Sequence, residues 1–318
     1  MWRSIRYSVD VHYSWAGPPN AQDRDINGPI SLRGQLKDGL TTTYQMYFWC
    51  LDAEVAAFQR KFQARGIKNI TVRGMQSFLS TCTGTAYRWW YWYGGKQDDV
   101  VARVTPIIQA AARPTATVRE RVNAKNVWSF FVLYTWGGYH FDTGIEADTT
   151  RTVRLTTYNQ YKAPAVLTER SIGYCHIQRS TLGGVNGMCS TVASASEWRD
   201  GHGRNSTEDG RVGYHDDVWA LYAPRYDARV FRSLYWYCRI WDHLELKRRA
   251  IANERDEEAY KQASRYAVID ALNTGLSHTD KGACRDVEKA DFWDAGASLN
   301  DGLIAELGIR KRYYGSHR

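Results

Sequence analysis

The chain is poor in the features that usually announce a chemistry. It has no G-x-x-x-x-G-K-[ST] loop, no G-x-G-x-x-G after a strand pattern, no H-E-x-x-H and no G-x-S-x-G. No phosphate loop, zinc-protease helix or nucleophile elbow can therefore be read from one stretch of sequence. No window approaches the roughly 18 consecutive apolar residues of a membrane helix. Met1 to Asp10 lacks the apolar run of a signal peptide, so the expectation is a soluble intracellular product without membrane contact,. On that reading the sequons at Asn69 and Asn205 are chance matches. The six cysteines, Cys50, Cys82, Cys175, Cys189, Cys238 and Cys284, form no C-x-x-C pair. That spacing fits neither a zinc ribbon nor a redox motif, and leaves buried free thiols or disulfides between packed molecules. Lysine is scarce: 11 of the 42 basic residues, against 31 arginines.

Aromatics are abundant instead, with 21 Tyr and 13 Trp in 318 residues. Tyr, Trp and Arg dominate the energetic centres of protein interfaces, where Lys is depleted. The densest stretch is Tyr87-Arg88-Trp89-Trp90-Tyr91-Trp92-Tyr93-Gly94-Gly95. As a strand it is aromatic on both faces, so one face fills a core and the other needs a partner. The net charge of +8 is interspersed along the chain, which gives little support to nucleic-acid binding,.

Periodicity places strands first. Arg6 to Trp15 alternates Tyr7, Val9, Val11, Tyr13 and Trp15 with Ser8, Asp10, His12 and Ser14,. Tyr44 to Leu51, Ile70 to Val72, Ala86 to Tyr93, Val127 to Thr135 and Thr152 to Tyr161 also read as strands, with Gly137-Gly138 as a turn. Ala53 to Gln63 reads as a helix ended by Gly66. Asp98 to Ala112 reads as another, capped by Asp98 or Asp99 and interrupted by Pro106,. Later, Val230, Leu234, Tyr237, Trp241 and Leu244 share one helix face, which Cys238 widens,. The expected class is α+β: an antiparallel β-sandwich-like core in the first two-thirds, flanked by helices, and a helical C-terminal third. One domain spans 1–318, strand-rich over 1–193, with a polar loop over 194–217 and helices over 225–310.

Candidate chemistry is thin. His202, Asp209, His215, Asp216 and Asp217 lie in a Gly-rich polar loop, where solvation explains them better than a metal,. Cys175 and His176 would point to opposite faces of a strand. Glu257-Glu258 lies on a charge-rich helix, and Lys247-Arg248-Arg249 and Arg310-Lys311-Arg312 fit helix ends. Neither a catalytic residue nor a metal ligand is expected. The residues expected to matter are packing residues: Tyr87, Arg88, Trp89, Trp90, Tyr91, Trp92, Tyr93, Trp236, Tyr237, Arg239 and Trp241.

Leu234-Tyr235-Trp236-Tyr237-Cys238-Arg239-Ile240-Trp241-Asp242-His243-Leu244-Glu245-Leu246, with Gly173-Tyr174-Cys175-His176 upstream, resembles segments of the cypovirus polyhedrins. The resemblance covers about a quarter of the chain. It implies a non-enzymatic viral matrix protein that forms homotrimers and crystallises in the host cytoplasm as occlusion bodies embedding virus particles. It implies no required cofactor, although such crystals can hold nucleotides. A basic nucleic-acid-associated or capsid protein is the alternative. Alkaline release has an independent rationale, because Tyr titrates near 10 and Lys near 10.4. Loss of every Tyr, Lys and Cys proton would take the chain to a limiting charge of about −30,.

Overall fold

In the computed structural model of the chain, the residues described are 7–40, 42–90, 97–155, 165–166, 171–173, 213–215, 220–227, 230–231, 233–235, 237–238 and 307–311. The order begins β1 (Tyr7–Trp15), α1 (Asn27–Gln35), β2 (Thr42–Cys50), α2 (Val55–Ala64), β3 (Ile70–Gly74) and α3 (Met75–Thr81). A hairpin of β4 (Arg88–Trp90) and β5 (Gln97–Asp99) leads into α4 (Val100–Ala112), α5 (Val118–Trp136), β6 (Gly138–Phe141) and β7 (Ile145–Ala147). The remaining strands are β8 (Ala165–Val166), β9 (Ser171–Gly173), β10 (Gly213–His215), β11 (Ala220–Ala223) and β12 (Ile309–Lys311).

Six strands form one sheet in the order β3-β2-β1-β6-β11-β8. The first four are parallel, and β11 and β8 continue the sheet antiparallel. Parallel neighbours need crossovers that cover the faces of the sheet. Here α1 joins β1 to β2 and α2 joins β2 to β3. On their side Val9, Val11, Tyr13, Met46, Phe48, Tyr139 and Phe141 pack with Leu32, Phe58 and Phe62. On the other side Tyr47 and Trp49 pack with Val104 of α4 and Trp128 and Phe131 of α5. The class is α/β, with a mixed, mostly parallel sheet between helices.

This corrects the antiparallel sandwich. The physical reason lies in β1, where the second half of the polar set is not solvated: His12 is 0% and Ser14 2% exposed, because α5 covers them. A second correction is Val127 to Thr135, which is helical within α5 and not a strand. Its residues are buried on every side, and such a helix loses the periodic stripe that marks an amphipathic one,. Its start is fixed by a capping box, in which Thr117 Oγ1 accepts from Glu120 N and Glu120 accepts from Thr117 N,. The expected helical C-terminal third also gives way in places, since Arg310 and Lys311 belong to β12, paired with β7. The stripe of Val230, Leu234, Tyr237 and Cys238 is helical and buried, with Tyr237 Oη donating to Asn123 Oδ1 of α5 at 3.2 Å. Trp241, Leu244, the segments 174–193 and 257–272 and most of 194–217 lie outside the described residues.

Other expectations hold. Asp99 caps α4, accepting from Val101 N and Ala102 N. Gly66, at φ +70°, follows α2. Gly137 and Gly138, at φ +73° and +90°, turn the chain from α5 into β6. Among the described residues no helix is long and apolar enough to cross a membrane.

Candidate active site at the carboxyl ends of the parallel strands

The strand order reverses at β1. The chain builds outward from β1 to β2 and β3, crosses on the other face through α4 and α5, and returns to place β6 on β1's free side. In open α/β sheets, ligands bind in the crevice outside the carboxyl ends of the strands at such a switch point. Here those ends are Trp15 on β1 and Phe141 on β6.

Beyond Trp15 the chain runs Ala16-Gly17-Pro18-Pro19-Asn20. The half-buried Trp15 donates Nε1–H to Pro18 O at 2.9 Å, closing a tight turn. Helix α5 runs antiparallel to β6, so its first turns stand beside the same ends. Arg121 and Lys125 lie four apart and share a helix face. A Cβ built on Gly17 would lie 3.4 Å from Arg121 Cδ, so the guanidinium stem lies against the turn. Lys125 forms an ion pair with Asp142, the residue after β6, and the two side chains are 18% and 26% exposed. Two cations and one carboxylate thus meet where β1 and β6 end.

The floor beneath is polar and buried. Ser14 Oγ and His140 Nε2 are 2.8 Å apart, joining β1 to β6. Burial, helped by Lys125 and His12, holds His140 well below the usual histidine range, so its ring is neutral,. Burial likewise pushes His12 down to about 3. Trp49 Nε1–H donates to His12 Nδ1 at 3.2 Å, so His12 carries its proton on Nε2 and donates it to Gly137 O at 3.0 Å,. His12 is therefore complete. His140 Nδ1 and Arg121 Nε, by contrast, are buried without a hydrogen-bond partner among the described residues.

The expected packing residues do not gather at this site. Tyr87 is a core side chain, stacked on Phe131 with ring centroids 6.0 Å apart, and burial holds its phenol well above the usual range. Arg88, Trp89 and Trp90 form β4, with Arg88 exposed. Tyr237 is buried and packs on Phe130. Tyr91, Trp92, Tyr93, Trp236, Arg239 and Trp241 lie outside the described residues. Of the polar loop residues only His215 is described, within β10. Sequence reasoning missed Arg121, Lys125 and Asp142. The available signal was Asp142 directly after a strand led in by Gly137-Gly138, opposite an i, i+4 pair of cations. Among the described residues no group of three or more His, Cys, Asp or Glu is arranged to hold a metal ion.

The alkaline-release rationale also changes. Burial raises the phenols of Tyr13, Tyr44 and Tyr47 above their ordinary value and pushes Tyr134 up to about 12,. These tyrosines resist ionisation at the pH where release was expected.

No protein-family model matches the chain, and no curated protein matches it. Among solved structures it is similar to the PaToxG glycosyltransferase, at TM-score 0.43 and 11% identity, over 97% of this chain and 91% of that one. It is also similar to mouse xyloside xylosyltransferase 1 in its apo form, at TM-score 0.40 and 9% identity, over 86% of this chain and 85% of that one. The correction to the polyhedrin expectation rests on the chain's own sheet: four parallel strands between helices are not the antiparallel β-sandwich that the resemblance implies, and the expected non-enzymatic occlusion-body role is withdrawn with it. The nucleic-acid or capsid alternative is not supported either.

Proposed function

We propose that the chain is a glycosyltransferase whose donor, a sugar carried on a nucleoside diphosphate, sits at the carboxyl ends of β1 and β6. The support is chemical. The observation that carries it is the Lys125–Asp142 pair beside Arg121 at the switch point. Transfer breaks the bond between the sugar's anomeric carbon and the diphosphate oxygen, which keeps the electron pair. An acceptor hydroxyl forms the new bond and gives its proton to solvent. Lys125 and Arg121 stand where charge develops on the departing diphosphate, and fixed cations in a partly dry site stabilise that charge strongly. Asp142 accepts hydrogen bonds from sugar hydroxyls, and the half-buried Trp15 offers an aromatic ring for a sugar or base to stack on,.

The test is release of nucleoside diphosphate by the purified full chain from a panel of nucleoside-diphosphate sugars. At least one donor should turn over, and Lys125→Met should slow it about 100-fold. Absence of both release and donor binding across the panel would refute the assignment.

A further inference from the structure

The wall of the crevice that follows β1 has no regular structure from residue 16 to residue 26, yet it is tied down along its length. Lys61, on α2, reaches across to it. Its Nζ donates to Asn20 O at 2.6 Å and to Asp25 Oδ1 at 2.5 Å, and lies 3.1 Å from Asp23 Oδ1. Asp25 is fully buried, and its second oxygen accepts from Asn20 N at 2.6 Å. Asn20 Oδ1 in turn accepts from Gln22 N at 2.8 Å, while Arg65 pairs with Asp23. One ammonium therefore holds a carbonyl in the middle of the loop and the buried carboxylate near its end. A buried carboxylate persists only when paired and hydrogen-bonded, so the loop's conformation and the Lys61 contact require each other.

We infer that Lys61 is a positioning residue for the donor site, acting through Asn20 and Asp25 to fix the Trp15–Asn20 wall against α5. This rests on the glycosyltransferase reading of the same crevice. The latch builds the wall before the donor arrives, so binding does not have to order it, and preorganisation of this kind appears as affinity. The rate of bond breaking depends on Lys125 and Arg121 and is untouched. Lys61 thus governs how tightly the donor is held, not how fast it reacts.

Lys61→Met alone would strand the buried Asp25 charge and risk unfolding, so the informative variant is Lys61→Met with Asp25→Asn, which removes both charges. Two readouts are needed: calorimetric affinity for a nucleoside diphosphate, and the rate of tryptic cleavage after the exposed Arg24. In the folded double variant the Kd should rise about tenfold, with kcat at saturating donor within about twofold of wild type. Cleavage after Arg24 should also accelerate about tenfold. Lys61→Arg, which keeps the charge, should recover most of both. An unchanged Kd and unchanged cleavage in the folded double variant overturn the latch. If the wild-type chain binds no nucleoside diphosphate, the donor site falls and the positioning role falls with it. Faster cleavage would then still report the tether itself.

Discussion

The two ends of β1 and β6 differ in what their charged and polar groups bind. At the amino end hydrogen bonds and close packing hold the backbone. Arg225 Nε donates to Thr135 O at 2.6 Å, Tyr226 N bonds Tyr134 O at 2.7 Å, and Gly138 presses against the backbone of Asp10. At the carboxyl end the Lys125 and Asp142 side chains pair with each other and keep some of their surface in solvent. Beneath them His140 Nδ1 lacks a partner among the described residues, whereas His12, bound to Gly137 O, is satisfied on both nitrogens. That difference is what motivates placing the candidate site at the carboxyl ends, in the absence of any local motif.

Three experiments would break or sharpen the contrast. The largest effect is expected from acid. Both histidines have folded values below the unfolded value near 6.5, so their contribution is complete above that pH and is lost as pH falls. For His12 the loss between pH 6.5 and about 3 is on the order of 4 kcal/mol,. Urea unfolding from pH 7 to pH 4 should show it, and His12→Gln and His140→Gln should each remove a share. A flat profile over that range would mean that neither ring is buried neutral. Next, Gly138→Ala should destabilise by about 3 kcal/mol. The residue sits at φ +90°, and a Cβ would come within 2.2 Å of Asp10 O. A cost below about 1 kcal/mol would show that the amino end has slack. The smallest effect concerns Asp10, which burial raises to about 6 against the pull of Arg225. A raised carboxyl has the opposite sign: its penalty is absent below the unfolded value and grows as pH rises through 4 to 6. Asp10→Asn should therefore stabilise the chain at pH 7, by on the order of 1 kcal/mol after allowance for partial exposure. It should leave stability at pH 4 unchanged. Destabilisation at pH 7 would place the attraction of Arg225 above burial.

Local structure was legible wherever a local cause fixes it. The alternation of β1, the aromatic run of β2, the end of α2 at Gly66 and the Asp99 cap of α4 all follow from neighbouring residues. What failed was inference about surroundings. Alternation in β1 usually means one wet face, but α5 buries His12 and Ser14, and the alternation then says nothing about parallel or antiparallel neighbours. The run from Val127 to Thr135 carries strand-forming residue types, and only the Thr117–Glu120 box ahead of it marks a helix. The site was illegible for a related reason. Its cations and carboxylate come from different elements, and they meet only because the sheet order reverses beside β1. Much of the aromatic richness serves the interior, where Tyr13, Trp49, Trp128, Tyr139, Tyr235 and Tyr237 are buried.

The two glycines between α5 and β6 have a consequence for how the site comes into being. They fold helix and strand back on each other without slack, so residues 118–142 make a single αβ hairpin whose open end is closed by Lys125 and Asp142. Contacts of such short sequence separation carry little loop-closure cost and form early. The opposite wall needs Lys61 to find Asn20 and Asp25 across some forty residues. The charged edge of the crevice is in this sense a cassette, carried by one short stretch of chain, and the rest of the sheet is the frame into which it is set.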